Sequence, residues 1–383
     1  MKSELKTTPF NDLHIENGAT MMAFAGYNMP LNYTFGILKE HQHTRTQAGL
    51  FDISHMGQVL IRSQSWSALA QQFEKLVPQD VLNLADGRQR YGFLTTDTGG
   101  ILDDIIFARR KETLFVVINA ANKTVVIRHL RDQLQPACCV SECKDRALIA
   151  LQGPKAEFEL SKMNQKVVGM QFMDNRSVEL NGMPVWISRS GYTGEDGYEI
   201  SMPLDVSQSL VRALIARESV QLIGLGARDS LRLEAGFCLH GHDIDVDISP
   251  VEASLSWAIP KVRRKNGERG GAFRGESIIL GQLINGVSRQ RVGLMPNGRS
   301  LMRAGVTLYA NEKDCHSVGR ITSGGFGPTI EKPVAMGMVN TAYAKPGTGL
   351  FGDVRGKRLP VTVATLPFVV ANIKRDQNQR IRS

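Results

Sequence analysis

Residues 99–106, Gly-Gly-Ile-Leu-Asp-Asp-Ile-Ile, are the feature that most constrains how this chain folds. Two glycines precede two carboxylates set among branched apolar residues, a pattern that favours a half-buried strand. Because side chains alternate faces along a strand, Asp104 shares one face with Leu102 and Ile106, and Asp103 lies on the other. Burying either carboxylate is costly unless it is paired or hydrogen-bonded. Two interpretations stay open: a structural aspartate satisfied by backbone N–H groups or an arginine, and a carboxylate kept dry for a ligand.

The length and composition are those of a globular protein with more than one domain. The chain has 383 residues, of which 42% are apolar and 22% are charged. This length suits two or three domains with a large core. No stretch approaches the roughly 18 consecutive apolar residues of a membrane span. Residues 1–6 lack the apolar segment of a secretory signal. We therefore expect a soluble, intracellular protein with no membrane partner.

The cysteines predict neither a disulfide framework nor a zinc site. Five are present, at Cys138, Cys139, Cys143, Cys238 and Cys315. They form no even disulfide set and no paired Cys-x-x-Cys array, and no histidine lies near the first three in sequence. We interpret them as reduced thiols in a reducing compartment, and we expect no bound metal.

The net charge of +9 is concentrated in two segments, residues 261–274 and 371–383. The rest of the chain is nearly neutral, and no RNP-type aromatic motif or zinc finger accompanies the basic residues. Nucleic acid is therefore not an expected partner. Two interpretations of the basic segments stay open: attraction of an acidic partner or polyanionic ligand tail, and ordinary solvated surface.

The local patterns alternate between helices and strands up to about residue 260. Residues 35–46 suit an exposed helix, and Ser65 is placed to cap a second helix. The acidic strand and residues 113–119 form a predicted hairpin, after which Asn119 or Asn122 caps another helix. From about residue 287, short strands separated by turns predict a small all-β barrel or sandwich. Residues 261–274 read as a linker or exposed loop between the two regions.

Two further segments carry candidate site residues. Residues 191–197 contain three glycines, which let the backbone approach a ligand. No Gly-Lys-Ser/Thr follows and the loop opens a strand, so neither a P-loop nor a flavin or nicotinamide motif is present. Arg228 stands near the predicted start of a helix, where a cation opposes the macrodipole. An arginine kept there is expected to pair with an acid or to bind a ligand. His55, at a strand start, is more often structural than catalytic.

Several stretches together resemble the aminomethyltransferase family, the T-protein of the glycine cleavage system. They follow the family's order across almost the whole chain, which makes the resemblance highly specific. They are residues 18–33 (GATMMAFAGYNMPLNY), 51–56 (FDISHM), 99–104 (GGILDD), 147–154 (ALIALQGP), 191–201 (GYTGEDGYEIS), 224–236 (GLGARDSLRLEAG), 251–257 (VEASLSW) and 322–338 (TSGGFGPTIEKPVAMGM).

The resemblance implies an α+β fold with three domains in a cloverleaf-like arrangement around a central folate channel. Mixed and antiparallel sheets with flanking helices are expected, together with a C-terminal all-β barrel. Residues 1–275 would form the folate-binding aminomethyltransferase region, as two intertwined α+β domains. Residues 276–383 would form the barrel domain.

The resemblance also implies a reaction and a set of site residues. An aminomethyl group on the lipoyl arm of the partner H-protein would be transferred to the co-substrate tetrahydrofolate, releasing ammonia and forming 5,10-methylenetetrahydrofolate. Asp104 matches the family's key acidic residue, and Glu199 and Arg228 match positions around the pterin. The other matching channel positions are Met56, Tyr91, Val117, Asn119, Tyr192 and Trp257. Taken one at a time, each of these six would fit ordinary core packing.

Two departures from the family pattern and two alternatives complete the prediction. Ile373 stands where some members place a tyrosine, so that ligand contact is not carried over, and Tyr27 replaces a frequent tryptophan. One alternative function is a stand-alone tetrahydrofolate-dependent demethylase of a methylated amine or sulfonium compound. The other is a non-catalytic folate-binding protein that assists iron–sulfur assembly, whose Lys-Gly-Cys-Tyr-x-Gly-Gln motif is missing. We expect a bacterial cytoplasmic protein, with a processed organellar form as the second possibility.

Overall fold

The computed structural model describes residues 4–375. Residues 1–3 and 376–383 lie outside the described residues, and with them Asp376, Arg380 and Arg382 of the basic tail. The helices are α1 (Asn11–Glu16), α2 (Ile37–Thr46), α3 (Trp66–Phe73), α4 (Lys123–Leu134), α5 (Ala156–Ser161), α6 (Leu204–Ile215), α7 (Leu225–Glu234) and α8 (Glu276–Asn285). In the described part, no helix is long and apolar enough to cross a membrane.

The strands alternate with these helices in the first two thirds of the chain and follow one another in the last third. They are β1 (Thr20–Phe24), β2 (Tyr27–Asn32), β3 (Ala48–Asp52), β4 (Gly57–Arg62), β5 (Gln89–Thr95), β6 (Ile101–Arg110), β7 (Thr113–Ile118), β8 (Cys139–Glu142), β9 (Arg146–Gln152), β10 (Asn175–Leu180), β11 (Met183–Ser188), β12 (Gly197–Pro203), β13 (Val220–Leu222), β14 (Arg289–Pro296), β15 (Thr307–Tyr309), β16 (Ser317–Gly327), β17 (Lys332–Asn340), β18 (Gly349–Val354) and β19 (Lys357–Ala364).

The strands build two larger sheets, a small hairpin and a barrel. A five-stranded antiparallel sheet has the order β5-β6-β7-β4-β8, and a six-stranded mixed sheet has the order β10-β11-β12-β9-β3-β13. In the mixed sheet, β13 pairs with β3 in parallel and the other pairs are antiparallel. The chain begins the six-stranded sheet with β3, completes the five-stranded sheet, and returns at β9. The strands of the two sheets are therefore interleaved in sequence.

The C-terminal strands close into a six-stranded antiparallel barrel of order β14-β17-β16-β15-β18-β19. Leu294, Ile321, Val339 and Val361 fill its interior and are almost completely buried. Together with the mixed and antiparallel sheets and their flanking helices, this barrel confirms the predicted fold class. The predicted domain boundary between residues 275 and 276 stays a prediction.

The acidic stretch forms the strand that its sequence predicts. In β6, Asp103 faces the interior and is fully buried, whereas Asp104, on the other face, is partly exposed. Gly100 is needed at the start of β6, since a Cβ there would overlap the backbone of Val246. The close approach lets the Ile101 N–H donate to the Asp245 carbonyl at 2.9 Å. The turn around residue 246 is thereby held against the acidic strand.

Of two helix predictions, one is confirmed and the other is wrong in part. Ser65 caps α3 as expected, accepting a hydrogen bond from the backbone N–H of Ala68. The prediction that residues 35–46 form an exposed helix is wrong in part, because Glu40, His41 and Thr44 of α2 are completely buried. In the sequence, such polar residues are typical of a solvent-exposed helix face. Here they form hydrogen bonds with one another and with neighbouring elements inside the molecule.

The prediction that residues 261–274 form an exposed loop or linker is also wrong in part. Arg263 is only 2% exposed, and its Nη1 lies 3.1 Å from a carboxylate oxygen of Glu74. Arg269 pairs with Glu74 as well and with Asp80. Three acids that are remote in sequence thus anchor the segment, because Arg274 also pairs with Asp97. Part of its positive charge is neutralised internally, which sequence-local charge counting does not detect.

Candidate active site

One large cavity lies where the two sheets, α7 and the barrel meet. Its volume is about 1170 Å³, large enough for a sizeable organic ligand. The five-stranded sheet contributes Ile106, the turn before β4 contributes His55, and the barrel contributes Gln290 and Arg291. The walls thus come from segments that are far apart in sequence.

All nine residues that the sequence singles out as site residues line this cavity. They are Asp104, Met56, Tyr91, Val117, Asn119, Tyr192, Glu199, Arg228 and Trp257. The fold therefore brings together positions spread over 202 residues, from Met56 to Trp257. Lining a cavity does not by itself assign a role to any of them, so their roles stay predictions.

The two aspartates of the acidic pair lie in different surroundings: the structural interpretation fits Asp103, and the ligand-binding interpretation stays a prediction for Asp104. Asp103 is the structural carboxylate, accepting bonds from the Asn119 N–H at 3.0 Å and from the Asn119 Nδ2 at 2.9 Å. Asp104 points into the cavity and accepts from the same Nδ2 at 2.7 Å. Asn122 donates to Asp103 at 3.2 Å and to the Leu102 carbonyl at 2.9 Å. Asn122 occupies the N-cap position of α4, as predicted, but its side chain makes no capping hydrogen bond because it binds this strand instead.

Burial and the neighbouring Asp103 charge raise the pKa of Asp104 to about 6. The Asn119 amide and the Tyr91 hydroxyl, 3.2 Å away, oppose this increase by donating to the ionised form. Two carboxylates that share one amide repel each other, and a raised pKa is the usual result. Asp104 thus combines a low-dielectric surrounding with access to the cavity, a combination found at functional carboxylates.

Tyr91 and Trp257 form an aromatic pair beside Asp104. Their rings stack with centroids 5.7 Å apart and an interplanar angle of 20°. The Tyr91 hydroxyl donates to Asp104, whereas Trp257 is 69% exposed. A stacked aromatic pair in a cavity wall presents a flat surface, and such a surface suits a planar ligand.

The glycine-rich loop places Tyr192 and the start of β12 against the cavity. Gln152 organises the loop by donating to the Ser190 carbonyl at 2.9 Å and accepting from the Thr193 hydroxyl at 2.9 Å. Glycine at residue 191 allows this packing, since a Cβ there would overlap the Gln152 amide and displace it from these hydrogen bonds. One carboxylate oxygen of Glu199 then accepts from the Ser190 hydroxyl at 2.6 Å. A carboxylate held in this way is an acceptor suited to paired N–H groups.

Arg228 lies in the first turn of α7, near the helix start that the sequence predicts, where a cation opposes the helix macrodipole. Its guanidinium carbon lies 4.9 Å from the centre of the Tyr192 ring. Its Nη1 is buried and has no hydrogen-bond partner among residues 4–375. Burial lowers the pKa of Arg228. Because Arg228 lines the cavity, this donor can reach an acceptor that enters the cavity.

Sequence reasoning missed or undervalued three cavity residues. His55 was expected to be structural, yet it lines the cavity, and burial lowers its pKa to about 4. His240 was not singled out, although it lies 4.0 Å from Asp103. Ile373, which replaces a family tyrosine, also lines the cavity. A histidine in a loop carries no periodic signal, so only the three-dimensional contacts reveal it.

Comparison with known proteins shows the family. The model of the GCVT N-terminal domain matches residues 10–263, and that of the glycine cleavage T-protein C-terminal barrel domain matches residues 289–369. The mitochondrial aminomethyltransferase of Dictyostelium discoideum is 38% identical over 390 aligned residues, covering 97% of this chain and 94% of the relative. A probable mitochondrial aminomethyltransferase of Schizosaccharomyces pombe is 40% identical over 373 aligned residues, covering 96% of this chain and 94% of the relative.

A solved structure agrees with these relatives. The crystal structure of glycine cleavage system aminomethyltransferase T from Bartonella henselae superposes with a TM-score of 0.91 at 41% identity, covering 97% of this chain and 100% of that one. The chain therefore belongs to the glycine cleavage T-protein family. Its activity is that of an aminomethyltransferase, and the resemblance seen in the sequence is confirmed.

Proposed function

We propose that this chain transfers the methylene carbon of an aminomethyl group, carried on a lipoylated H-protein, to tetrahydrofolate. The carbon–nitrogen and carbon–sulfur bonds of the aminomethyl-lipoyl group break, so that ammonia and the dithiol form of the lipoyl arm are released and 5,10-methylenetetrahydrofolate forms. The observation that supports this most is the cavity carboxylate Asp104, held by Asn119 and Tyr91 in a largely dry surrounding. Positive charge develops at the migrating carbon as ammonia departs, and a preorganised anion stabilises such charge.

The residues around Asp104 fit a reduced folate. The buried Arg228 Nη1 without a partner needs an acceptor, which a pterin carbonyl supplies. Glu199 offers carboxylate oxygens to the N–H groups of an aminopyrimidinone edge. Tyr91, Trp257 and Tyr192 supply aromatic faces for a planar ring. Tetrahydrofolate supplies the nucleophilic nitrogen, and these side chains bind and orient it.

Asp104 is assigned the catalytic role, and Asn119 the role of holding its orientation. The Asn119 Nδ2 lies 2.7 Å from Asp104 and fixes the direction in which the carboxylate points. The Tyr91 hydroxyl holds the same carboxylate from β5. An orientation fixed before substrate arrives reduces the entropy lost at the moment of reaction. Met56 and Val117 add apolar surface to the cavity wall.

The H-protein is the proposed source of the aminomethyl group. The basic segment 261–274 offers a docking surface, but only its solvent-facing side chains qualify. Lys261 and Lys265 are exposed, whereas Arg263 is buried against Glu74. Arg264 ties the segment to the turn of exposed Trp257 by donating to the Ser256 carbonyl at 2.7 Å. An acidic partner docked there would lie near the cavity.

The docking proposal is tested by charge reversal. Replacing Lys261 and Lys265 by Glu should raise the apparent KM for aminomethyl-lipoyl H-protein by about tenfold, and less at high salt, because exposed charges are screened. The matched control reverses the exposed barrel residues Lys313 and Lys357. Equal KM values for both double variants would contradict this docking surface.

The reaction itself is tested by mixing the purified chain with aminomethyl-lipoyl H-protein and tetrahydrofolate. Ammonia and 5,10-methylenetetrahydrofolate should form in equal amounts. Parallel incubations replace the H-protein donor by sarcosine, dimethylglycine or a sulfonium compound. Folate-dependent demethylation of one of these, without transfer from H-protein, would support the alternative demethylase, which no observation on this chain favours. The predicted bacterial cytoplasmic localisation stays a prediction, and the two eukaryotic relatives named above are called mitochondrial.

A further inference from the structure

His240 occupies a fixed position beside the acidic pair, in the segment that follows α7. Asp243 holds this segment by accepting from the Leu239 N–H at 2.9 Å. Asp243 is itself fully buried and pairs with Arg232 at 3.0 Å. An isolated β-bridge also joins the backbone of His240 to that of Ile244. The imidazole is therefore not a mobile surface group but one that is held against β6.

The contacts of Asn122 depend on the protonation state of His240. The Asn122 Nδ2 lies 3.2 and 3.3 Å from the two ring nitrogens of His240, and it also donates to Asp103 and to the Leu102 carbonyl. An amide NH2 has two hydrogens, so these three acceptors already exceed its capacity. A neutral imidazole competes for one of the hydrogens. An imidazolium accepts none and releases both to the strand.

The same change brings a cation next to the carboxylates. The Nε2 of His240 lies 4.0 Å from Oδ1 of Asp103, a distance at which an imidazolium and a carboxylate form an ion pair. Asp103 and Asp104 are joined through the single Asn119 amide. A positive charge at His240 therefore reduces the repulsion that Asp104 experiences from its neighbour.

The other ionisable groups that act on Asp104 do not become cations. Tyr91 faces it from β5, Tyr192 from the glycine-rich loop and Cys238 from the segment after α7. Burial raises the pKa of both tyrosines, and it raises the pKa of Cys238 to about 12. These three groups stay neutral near physiological pH. Among His240, Asp103 and these three groups, only His240 has a cationic form.

We propose that His240 is a positioning residue whose cationic form lets Asp104 stay ionised to a lower pH than the Asp103–Asp104 repulsion alone would allow. An imidazolium at this position lies 4.0 Å from Asp103 and supplies a compensating positive charge to the Asp103–Asp104 pair. Histidine is the side chain whose charge ordinarily changes near neutral pH, so it suits this role. The inference rests on the proposed function of Asp104 for its catalytic consequence, but the electrostatic coupling stands independently.

The coupling is measured directly in the ligand-free protein. Carbonyl-labelled aspartate and ¹³C NMR give the titration midpoint of the Asp104 carboxylate, assigned through Asp104→Asn. In His240→Gln, which keeps a polar side chain but no charge, the midpoint should rise by about half a unit to one pH unit. In His240→Arg, which is always cationic, it should fall below the wild-type value. The pH at which the transfer rate falls to half its maximum on the acid side should move in the same directions.

The control is His242→Gln, two residues along the same segment. His242 is exposed and its Nδ1 lies 3.4 Å from the Thr322 carbonyl, so its loss should leave the Asp104 midpoint in place. Thermal melting checks that every variant is folded. An Asp104 midpoint that shifts by less than about 0.2 unit in both His240 variants would overturn the proposal. If the midpoints shift but Asp104→Asn still transfers the methylene group, the coupling stands and the catalytic role of Asp104 fails.

Discussion

Asp103 and Asp104 show how neighbouring identical residues acquire different tasks. The strand directs Asp103 into the core, where the backbone of Asn119 and two amide side chains satisfy it. Asp104 faces the cavity and shares the Asn119 amide with its neighbour. The protein therefore carries the free-energy cost of a partly desolvated second carboxylate, a cost that is expected where an anion is needed for chemistry.

This cost predicts how stability depends on pH. Burial and the Asp103 charge raise the pKa of Asp104 from 3.8 to about 6. Between these values the native state binds the proton more tightly than the unfolded chain, so the Asp104 contribution to stability decreases as the pH rises from about 4 to about 6 and stays reduced above that. Asp104→Asn should therefore increase the free energy of unfolding at pH 8 by about 1 to 2 kcal/mol, with little change at pH 4. Denaturant unfolding at both pH values tests this, and a loss of stability at pH 8 would contradict it.

Two arginines one turn apart on α7 give a contrasting prediction. Arg228 has a buried Nη1 without a partner within the described chain, whereas Arg232 is paired with Asp243 at 3.0 Å. Arg228→Met should increase the unfolding free energy by about 1 kcal/mol while weakening tetrahydrofolate binding at least tenfold. Arg232→Met should destabilise by about 3 kcal/mol, since it leaves Asp243 buried and uncompensated. Urea unfolding and folate titration measure both effects, and a destabilised Arg228→Met protein with unchanged folate affinity would refute the assignment.

At the scale of elements, the glycine-rich loop and β6 act as rigid supports for the cavity. Gly191 allows the loop to pack on Gln152, and Gly100 allows residues 245–248 to pack on the acidic strand. A methyl group would overlap the Gln152 side chain at residue 191 and the Val246 backbone at residue 100. Site geometry therefore depends on the close packing that these two glycines allow.

Gly191→Ala tests this dependence. The added methyl group would overlap the Gln152 side chain, so the loop must shift and carry Ser190 and Tyr192 with it. We expect a loss of about 1 to 3 kcal/mol of stability and a weaker affinity for tetrahydrofolate. Gly281→Ala on α8 is the control, because nothing lies within 4 Å of its Cβ position. That change should be neutral or stabilising by about 0.5 to 1 kcal/mol. Equal effects of the two substitutions on folate affinity would contradict a supporting role for the loop.

Sequence patterns predict most of the elements, because hydrophobic periodicity and turn residues are local. The hairpin of β6 and β7, the Ser65 cap and the barrel region follow from such signals. The positions of the buried polar groups do not follow from such local signals. Glu40 and Arg263 look like surface residues in sequence, and only tertiary partners such as the Tyr33 N–H and Glu74 make their burial possible.

The candidate site shows the same limit. Asp104 and Arg228 violate local expectations, an acid on an apolar strand and a cation at a helix start, and both could be singled out from sequence. Met56 and Val117 carry no such anomaly and were found through the family resemblance alone. His240 carried neither signal, because its importance lies in a 4.0 Å distance to Asp103 that only the fold creates.

At the scale of the whole molecule, a buried ionic network joins the barrel to the rest of the chain. Glu234 at the end of α7 lies 3.1 Å from His41 and 2.9 Å from Arg45, both on α2. It also accepts from the Thr329 N–H of the β16–β17 turn at 2.8 Å. The backbone carbonyl of the same residue accepts from Phe368. The carboxylate of Glu234 thus connects two helices and the barrel, and its backbone carbonyl adds the C-terminal segment.

The network predicts a large effect of Glu234→Gln. Hydrogen bonds from His41 and Thr329 outweigh burial and lower the pKa of Glu234 to about 2. Its stabilising contribution is therefore present above the unfolded pKa of 4.5 and is lost as the pH falls towards about 2. At pH 7 the substitution should cost about 3 kcal/mol. Asp132→Asn, which breaks an exposed pair with Arg128, is the control and should cost less than about 0.5 kcal/mol. Similar melting temperatures for the two variants would contradict the proposed coupling.

The catalytic role of Asp104 is tested most directly by the rate of methylene transfer from aminomethyl-lipoyl H-protein to tetrahydrofolate in Asp104→Asn. The variant keeps the shape of the side chain, and its folding and folate affinity are measured alongside. We predict a loss of at least about 100-fold in kcat with tetrahydrofolate still bound, because the substitution removes the anion that stabilises the developing positive charge. A folded variant that binds tetrahydrofolate and transfers the methylene group at close to the wild-type rate would contradict the account.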